Sequence, residues 1–220
     1  MRALSANQIA AAMGVIDPIF LRTPLLTGSS LDRALECQLL FKVETLNPIR
    51  SFKGRGTDLV IARMKDRRTI VCASAGNFGQ GLARAAAKRK RPVIVFAARN
   101  ANPLKVAAMR DLGAEVRQFG ADFDAAKDAA RRFAASTDAY YVEDGGIAEI
   151  AEGAGTIALE LSEAGQIPEA MLVPLGNGAL VTGIGTWFRH AEPSTHVIGV
   201  VPEGAQSMRL SFAAKEPVST

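Results

Sequence analysis

A lysine in a glycine-rich loop is the residue of this sequence best placed to do chemistry. Lys53 lies in the segment S-F-K-G-R-G (residues 51–56), which leads directly into an amphipathic helical pattern. The positive end of a helix macrodipole disfavours the charged form of an amine in the first turn, and the neutral form is the nucleophile. Ser51 can cap this helix, and Gly54 and Gly56 are expected to keep bulk away from the amine. Such a lysine suits Schiff-base chemistry with an aldehyde cofactor, although a solvated lysine near a capped helix shares the same local pattern.

A second candidate site is the segment S-A-G-N-F-G-Q-G (residues 74–81), between a predicted strand and a predicted helix. The small residues Ser74, Ala75 and Gly76 expose backbone N–H groups, which can bind a carboxylate or a phosphate. Asn77 adds a side-chain amide that could face a ring hydroxyl. The pattern is equally typical of an ordinary strand–helix turn with Asn77 as the cap, and the segment alone does not decide between the two interpretations.

The third candidate is the segment P-L-G-N-G-A-L (residues 174–180), which also joins a predicted strand to a predicted helix. Its backbone N–H groups can hold a phosphate by the same physics. It does not match the dinucleotide-binding fingerprint, because Val181 stands where a third glycine should follow Gly176 and Gly178. No Walker-type phosphate loop occurs in the chain, so the segment predicts an anion site without identifying the ligand.

The composition is that of a globular α/β protein. Of the 220 residues, 48% are apolar, and alanine and glycine are abundant while aromatics are few, which favours helices packed closely on a sheet. The net charge is +4, and the most concentrated basic run, Arg84–Arg91, lies where a helix should end and complements its dipole. No aromatic residues interleave with this run, so we do not expect nucleic-acid binding.

The cysteines and the apolar segments bear on the compartment. Only Cys37 and Cys72 occur, too few for a disulfide framework, which favours a reducing compartment. The N-terminus has no apolar signal core, and the longest uncharged stretch, Ala170–Phe188, is interrupted by a proline and several glycines. We therefore expect a cytoplasmic protein without a membrane span.

Short apolar runs alternate with helical patterns along the chain, which predicts an α/β fold with a largely parallel sheet. The predicted strands are Leu39–Val43, Thr69–Ala73, Pro92–Ala97, Glu115–Phe119, Tyr140–Val142, Met171–Leu175 and His196–Val201. The predicted helices are Ala6–Met13, Ser30–Glu36, Lys53–Lys65, Asn77–Arg89, Pro103–Leu112, Phe123–Ser136, Gly153–Ala164 and Leu180–His190. Residues 69–144 predict a small domain, and residues 1–68 and 145–220 predict a second domain built from two parts.

Together the three segments resemble those of the fold-type II pyridoxal-phosphate enzymes, and they are most similar to threonine and serine dehydratases (ammonia-lyases). The resemblance spans about residues 15–205, and further pieces match in order: R-T-P-L (22–25), K-V-E (42–44), N-P-L-K (102–105), G-A-E-V (113–116) and G-T-I-A-L-E (155–160). It implies a two-domain fold like that of the tryptophan synthase β subunit, with three α/β/α layers and mostly parallel sheets. The large domain, which binds the cofactor, would consist of residues 1–68 and 145–220.

The resemblance also implies roles for individual residues. Lys53 would form the Schiff base with pyridoxal 5'-phosphate and take the α-proton of the substrate, and Asn77 would hydrogen-bond the ring hydroxyl of the cofactor. The substrate carboxylate would be bound by four consecutive residues: Ser74, Ala75, Gly76 and Asn77. The cofactor phosphate would be held by the backbone of five more: Gly176, Asn177, Gly178, Ala179 and Leu180. The implied reaction is β-elimination of water from a hydroxy-amino acid such as L-threonine or L-serine, giving a 2-oxo acid and ammonia, in a homo-oligomer such as a dimer.

Several positions depart from the family's pattern, and they bear on the substrate more than on the cofactor. Ile49 and Arg50 replace the usual Thr-Gly, and Phe78 replaces a common histidine. Asn177 and Ala179 interrupt a turn that is often nearly all glycine.

Other departures argue against further activities. Ala75 stands where the related racemases place a serine base, so racemisation is not expected. Val201 stands where some relatives have an acidic metal ligand, and His190 and His196 have no acidic or thiol partner in the sequence pattern, so no metal site is expected.

The end of the chain differs most from the family's pattern. Members of the family continue beyond the positions matching residues 215–220 with further elements of the cofactor domain, including the polar residue that faces the pyridine nitrogen. We therefore expect a fold that is incomplete at its C-terminus, from a fragment or from a shortened relative. Two alternatives to the lyase stay open: β- or γ-replacement chemistry as in threonine synthase relatives, and a non-catalytic relative that keeps the fold.

Overall fold

The computed structural model describes residues 3–218. Residues 1–2 and 219–220 lie outside the described residues. They are the outer limits of the predicted two-part domain, and the last two of them also end the segment 215–220. Within the described part, no helix is long and apolar enough to cross a membrane.

Helices and strands alternate along most of the chain, as the pattern predicts. The helices are α1 (Ala6–Met13), α2 (Leu31–Ala34), α3 (Lys53–Arg63), α4 (Asn77–Lys88), α5 (Pro103–Asp111), α6 (Phe123–Ser136), α7 (Ala148–Glu163), α8 (Ala179–Ala191) and α9 (Ser207–Ala214). The strands are β1 (Leu25–Leu26), β2 (Phe41–Lys42), β3 (Ile70–Ala73), β4 (Val93–Ala97), β5 (Glu115–Gln118), β6 (Tyr140–Tyr141), β7 (Ala170–Pro174) and β8 (His196–Val200).

The predicted elements are confirmed in type, and all but one have boundaries within two residues of the prediction. The predicted start of a helix at Gly153 is wrong, because α7 begins at Ala148. Gly153 and Gly155 lower the helix propensity of this window, but packing against neighbouring helices overrides that preference. Three short or exposed elements were not predicted: β1, the 3-10 turn Pro18–Phe20 and α9.

A four-stranded parallel sheet in the order β5-β4-β3-β6 forms the centre of residues 70–141. Alternate strand residues point to opposite faces. On one face Cys72 and Val95 pack against α4 and α5, and on the other Val71 and Ile94 pack against α6. The result is the predicted three-layer α/β/α arrangement.

Two smaller sheets lie outside this centre. β1 pairs with β2 in antiparallel fashion, and β7 pairs with β8 in parallel. One face of the β7–β8 pair contributes Val173 to a buried cluster with α7 and α8. The opposite face is apolar and exposed, with Leu172, Ile198 and Val200 among its residues.

Helix α7 packs closely against both α3 and α8, and glycines make the contacts possible. A Cβ atom added at Gly153 would lie 2.5 Å from the Cα of Gly56 on α3. A Cβ atom added at Gly183 on α8 would lie 2.7 Å from the backbone nitrogen of Gly155. Both distances are shorter than any real side chain allows, so the helices meet backbone to backbone at these two crossings.

A buried arginine ties α3 to α7. The Arg55 side chain is fully buried and donates to the Glu44 carboxylate at 2.8 Å and to the Thr156 hydroxyl at 2.9 Å, and it also pairs with Glu160. Burial opposes its charged form, but hydrogen bonds to Glu160 and Glu44 raise the pKa of Arg55 above its ordinary value. Lys42 supplies Glu160 with a second cation, 2.6 Å away. The charges are therefore balanced inside the fold.

The basic run at the end of α4 is largely occupied by carboxylates. Arg84 and Lys88 both contact Asp17, at 3.1 and 2.8 Å, and Arg89 contacts the buried Asp58 at 2.6 Å. Burial works to raise the pKa of Asp17, but hydrogen bonds from Lys88, from the backbone N–H of Ile19 and from Arg84 lower it to about 2. The run therefore joins α4 to the loop after α1.

Replacing Asp17 by asparagine is expected to lower the free energy of unfolding at neutral pH by about 2 kcal/mol, because the lowered pKa measures how strongly the fold favours the carboxylate. This stabilisation is complete above about pH 4 and is lost as the pH falls toward 2. Urea unfolding between about pH 3 and 7 should show the gap between the wild type and Asp17→Asn narrowing on the acid side. The exposed Asp138 provides the control, since Asp138→Asn should change stability by less than about 0.5 kcal/mol. A gap that stays constant with pH would contradict the expectation.

Candidate active site

The loop that carries Lys53 is fixed by side-chain hydrogen bonds. Asn47 Oδ1 accepts from the backbone N–H groups of Ile49 and Ser51, at 3.1 and 3.3 Å, and its Nδ2 donates to the carbonyl of Ser51 at 3.1 Å. Lys53 is the first residue of α3, and its N–H donates to the Ser51 hydroxyl at 3.3 Å. Ser51 thus satisfies one N–H of the first turn, although the cap position itself belongs to Phe52. Asn47 has no part in the sequence prediction.

The glycines beside Lys53 serve packing, so the predicted role of keeping bulk from the amine is wrong. A Cβ atom added at Gly54 would overlap the ring of Phe20, which is buried. One added at Gly56 would lie 2.7 Å from the backbone of Ile150 at the crossing with α7. The two glycines therefore let α3 approach its neighbours closely.

The amine of Lys53 faces a carboxylate that the sequence analysis missed. Its Nζ lies 2.7 Å from both oxygens of Asp144, and it lies 5.1 Å from the ring centroid of Phe52 and 5.9 Å from that of Phe78. Asp144 follows β6, in E-D-G-G at residues 143–146. A sequence signal existed, because parallel neighbours such as β3 and β6 bring the segments after them to the same sheet edge.

The segment after β3 forms a tight loop into α4. The Ser74 hydroxyl accepts from the N–H groups of Gly76 and Gly79, at 3.1 and 2.9 Å, and Gly76 takes the cap position. The interpretation of Asn77 as the cap is therefore wrong. The Asn77 side chain is half-buried and makes no hydrogen bond to any residue that the structure describes. The amine of Lys105 lies beside Gly76, at 3.4 Å from where a Cβ atom would be.

The segment after β7 forms an open turn into α8. Gly178 is the cap residue with φ +91°, a left-handed conformation that favours glycine, and the N–H of Ala179 donates to Asn177 Oδ1 at 3.2 Å. Within residues 3–218, the backbone N–H groups of Gly176, Asn177 and Gly178 have no hydrogen-bond acceptor. A Cβ atom added at Gly176 would meet nothing within 4 Å, so there is space beside the turn.

The three segments meet around Lys53. Phe78, next to Asn77, borders the amine on one side, and Asp144 binds it on the other. Gly145, next to Asp144, lies close to the turn after β7. A Cβ atom added at Gly145 would lie only 3.2 Å from the Cγ of Asn177. The structure therefore groups a primary amine with a side-chain amide and with the backbone N–H groups of a turn, and neither the amide nor these N–H groups has a hydrogen-bond partner among residues 3–218.

An amine, an amide and a turn with exposed N–H groups at one place suit a pyridoxal-phosphate enzyme, and the comparison with known proteins agrees on the family. Residues 16–220 match the family described as "Pyridoxal-phosphate dependent enzyme", and the chain belongs to that family. Within it, the chain is 34% identical over 212 residues to the L-threonine ammonia-lyase of Thermotoga maritima, a match covering 95% of this chain and 53% of that protein. The chain spans about half the length of the curated relatives it matches.

Solved structures of pyridoxal-phosphate enzymes share the fold of this chain. The chain superposes on a threonine deaminase from T.th. with a TM-score of 0.91 and 32% identity, covering 98% of this chain and 71% of that one. It superposes on a pyridoxal 5'-phosphate-dependent aspartate racemase with a TM-score of 0.92 and 28% identity, covering 100% of this chain and 69% of that one. The predicted fold class is confirmed.

The donors present fit pyridoxal phosphate. A primary amine matches its aldehyde, the unpaired Asn77 amide matches its ring hydroxyl, and free N–H groups at a helix start match a phosphate dianion. No group of three or more histidine, cysteine, aspartate or glutamate side chains suited to a metal ion occurs within the part of the chain described.

Proposed function

We propose that the chain carries out pyridoxal-phosphate-dependent β-elimination of water from a hydroxy-amino acid such as L-threonine or L-serine, giving a 2-oxo acid and ammonia. The observation that carries the proposal is the position of the Lys53 amine, which lies between the loop after β3 and the loop after β6. The loop after β6 in turn lies against the turn after β7. The similarity to an L-threonine ammonia-lyase and a threonine deaminase supports this choice of reaction.

In this proposal each segment has one task. When bound, pyridoxal phosphate supplies an aldehyde for the amines and a ring that withdraws electrons from the substrate. Lys53 anchors the cofactor through Nζ and, when released, accepts the α-proton of the substrate at the same atom. Ser74–Asn77 binds the substrate carboxylate through the backbone N–H groups of Ala75 and Asn77, since those of Ser74 and Gly76 already donate to Phe96 and to the Ser74 hydroxyl. The Asn77 side chain orients the ring hydroxyl. Gly176–Leu180 holds the phosphate.

The test is to supply the chain with pyridoxal phosphate and one amino acid at a time. L-Threonine or L-serine alone should release ammonia and a 2-oxo acid in equal amounts, and L-alanine, which has no leaving group, should release neither. A strict requirement for a second substrate or for phosphohomoserine would favour replacement chemistry. Cofactor binding without turnover of any amino acid would favour the non-catalytic alternative.

A racemase is the second candidate, because the fold superposes on an aspartate racemase with a TM-score of 0.92. The position of Ala75 argues against it. Ala75 is exposed in the loop after β3, and its methyl group has no proton to exchange. Chiral chromatography of L-serine and L-aspartate after incubation should therefore show no D-enantiomer.

Replacing Gly178 by valine is expected to weaken pyridoxal phosphate binding at least about tenfold, since a β-branched residue is strained at φ +91° and would displace the N–H groups of the turn. Absorbance titration measures the Kd. Gly185→Ala on the same helix is the control, because a Cβ atom there meets nothing within 4 Å. If Gly178→Val folds and binds the cofactor as tightly as the wild type, the turn does not hold the phosphate.

The same proposal includes a cytoplasmic homo-oligomer with a small domain at residues 69–144 and a cofactor domain at residues 1–68 and 145–220. Confinement of the four-stranded sheet to residues 70–141 supports the domain division. The free cysteines support the compartment, and the exposed apolar face of β7 and β8 supports association. Sedimentation analysis measures the oligomeric state directly.

A further inference from the structure

The carboxylate of Asp144 is fixed on the amine of Lys53. Both of its oxygens lie 2.7 Å from Nζ, and only 13% of the Lys53 side chain and 26% of the Asp144 side chain are exposed. A two-oxygen contact at this distance between partly buried groups places the amine more narrowly than a single surface ion pair does.

The loop that carries Asp144 is held from the opposite side. Glu143 pairs with Lys127 and Arg131 of α6, at 2.7 and 2.9 Å, and the N–H of Gly146 donates to the carbonyl of Glu143 at 3.1 Å. Gly145 has φ +82°, which turns the chain immediately after the aspartate. The carboxylate is thus held in place from both sides of the loop.

Among the described residues, the other charged and titratable groups near Asp144 do not neutralise its carboxylate, so its ion pair is with Lys53. Glu143 is directed to α6, and β3 contributes only the buried thiol of Cys72. Burial, and then the charge of Asp144, raise the pKa of that thiol, so it stays protonated and uncharged. Lys53 is therefore the cation that balances Asp144.

We propose that Asp144 is a positioning residue of the active site, which holds the Lys53 amine as an ammonium whenever that amine is not bonded to another group. This inference rests on the proposed function, in which Lys53 is the reacting amine. A carboxylate beside an amine favours its charged form. Asp144 therefore slows attack by Lys53 on an electrophile, and it stabilises the ammonium that forms when Lys53 takes a proton from a substrate.

Competitive labelling with acetic anhydride tests the proposal on the chain after hydroxylamine treatment and dialysis to remove any cofactor. Peptide mass spectrometry measures how fast Lys53 is acetylated from about pH 6 to 10.5. At pH 7, Lys53 in Asp144→Asn should be acetylated about tenfold faster than in the wild type. Toward pH 10.5 the ratio of the two rates should shrink, because the amine of the variant approaches full deprotonation while that of the wild type is still losing its proton.

The controls separate the charge from its structural effects. Asp144→Glu keeps the charge and should give the wild-type profile. Asp138→Asn removes an exposed carboxylate that does not contact Lys53 and does not hold the Asp144 loop, and it should leave the Lys53 profile unchanged. If Asp144→Asn fails to fold, Asp144→Ser makes the same comparison.

Two outcomes would overturn the proposal: identical Lys53 profiles with and without the carboxylate, or a difference of constant size at every pH, which would report accessibility instead of charge. The labelling requires neither cofactor nor turnover, so it tests Asp144 even if the chain releases no ammonia. Conversely, ammonia release together with an unchanged Lys53 profile would keep the proposed function and reject this inference.

Discussion

Replacing Lys53 by alanine is expected to abolish covalent attachment of pyridoxal phosphate and to reduce ammonia release at least about a thousandfold. The reason is positional, because Lys53 is the amine that contacts Asp144 and lies beside Phe78. Borohydride reduction followed by peptide mapping should mark Lys53 alone in the wild type. The same treatment of Lys53→Ala should mark no peptide.

The exposed Lys65, two residues after the end of α3, provides the matched control. Lys65→Ala should keep both the covalent label and the turnover of the wild type. Label on Lys42, Lys65 or Lys105 in a wild-type chain carrying cofactor would show that another lysine is the attachment site. Urea unfolding of Lys53→Ala checks that the loss is chemical, since Asp144 then lacks its cation but keeps partial access to water.

Replacing Arg55 by methionine is expected to lower the free energy of unfolding by about 3 to 5 kcal/mol. Methionine fills part of the volume, but it leaves Glu44 without a cation and Glu160 with Lys42 as its remaining ionic partner. Because Glu160 is nearly inaccessible to water, its charge becomes costly. Urea denaturation measures the change. Because Glu44 lies just before the loop that carries Lys53, loss of its contact with Arg55 should also reduce the affinity for pyridoxal phosphate.

The exposed pair of Arg68 and Asp66 gives the control for Arg55. Arg68→Met should cost less than about 1 kcal/mol, since surface ion pairs contribute little. The double variant Arg55→Met with Glu44→Gln should be more stable than Arg55→Met alone, because it also removes the carboxylate that the first substitution leaves without a cation. If Arg55→Met and Arg68→Met cost the same, the buried network would not tie α3 to α7.

The sequence predicts local features of this fold well. Alternating apolar runs gave the strands and helices because each pattern reflects which face of an element is buried. The three glycine-containing segments were recognisable because loops between a strand and a helix expose backbone N–H groups at a known place. The structure brings these three segments together, as the family resemblance implies, while the roles of their individual residues stay predictions.

Features that depend on contacts between distant parts of the chain were missed or misread. Asp144 lies 91 positions from Lys53 along the chain, and no local pattern links them. Gly54 and Gly56 were assigned to the amine because the sequence does not show that Phe20 and Ile150 occupy the space beside them. Arg50, where the resemblance predicts glycine, has φ +53°, so the backbone keeps the conformation that suits the missing glycine.

The two glycine crossings of α7 bear on how this site can change its substrate. Gly56 lies one turn from Lys53 and Gly183 little more than one turn from Gly178, and α7 touches both helices through main-chain atoms. The distance between the Lys53 amine and the turn at Gly178 is then set by main-chain contacts, which do not depend on the identity of the other side chains. If the proposed function holds, loop side chains can be exchanged, by natural drift or in the laboratory, without moving either Lys53 or the turn at Gly178. Libraries that seek new amino-acid substrates should therefore vary exposed loop side chains such as Ala75, and keep Gly56, Gly153, Gly155, Gly178 and Gly183 fixed.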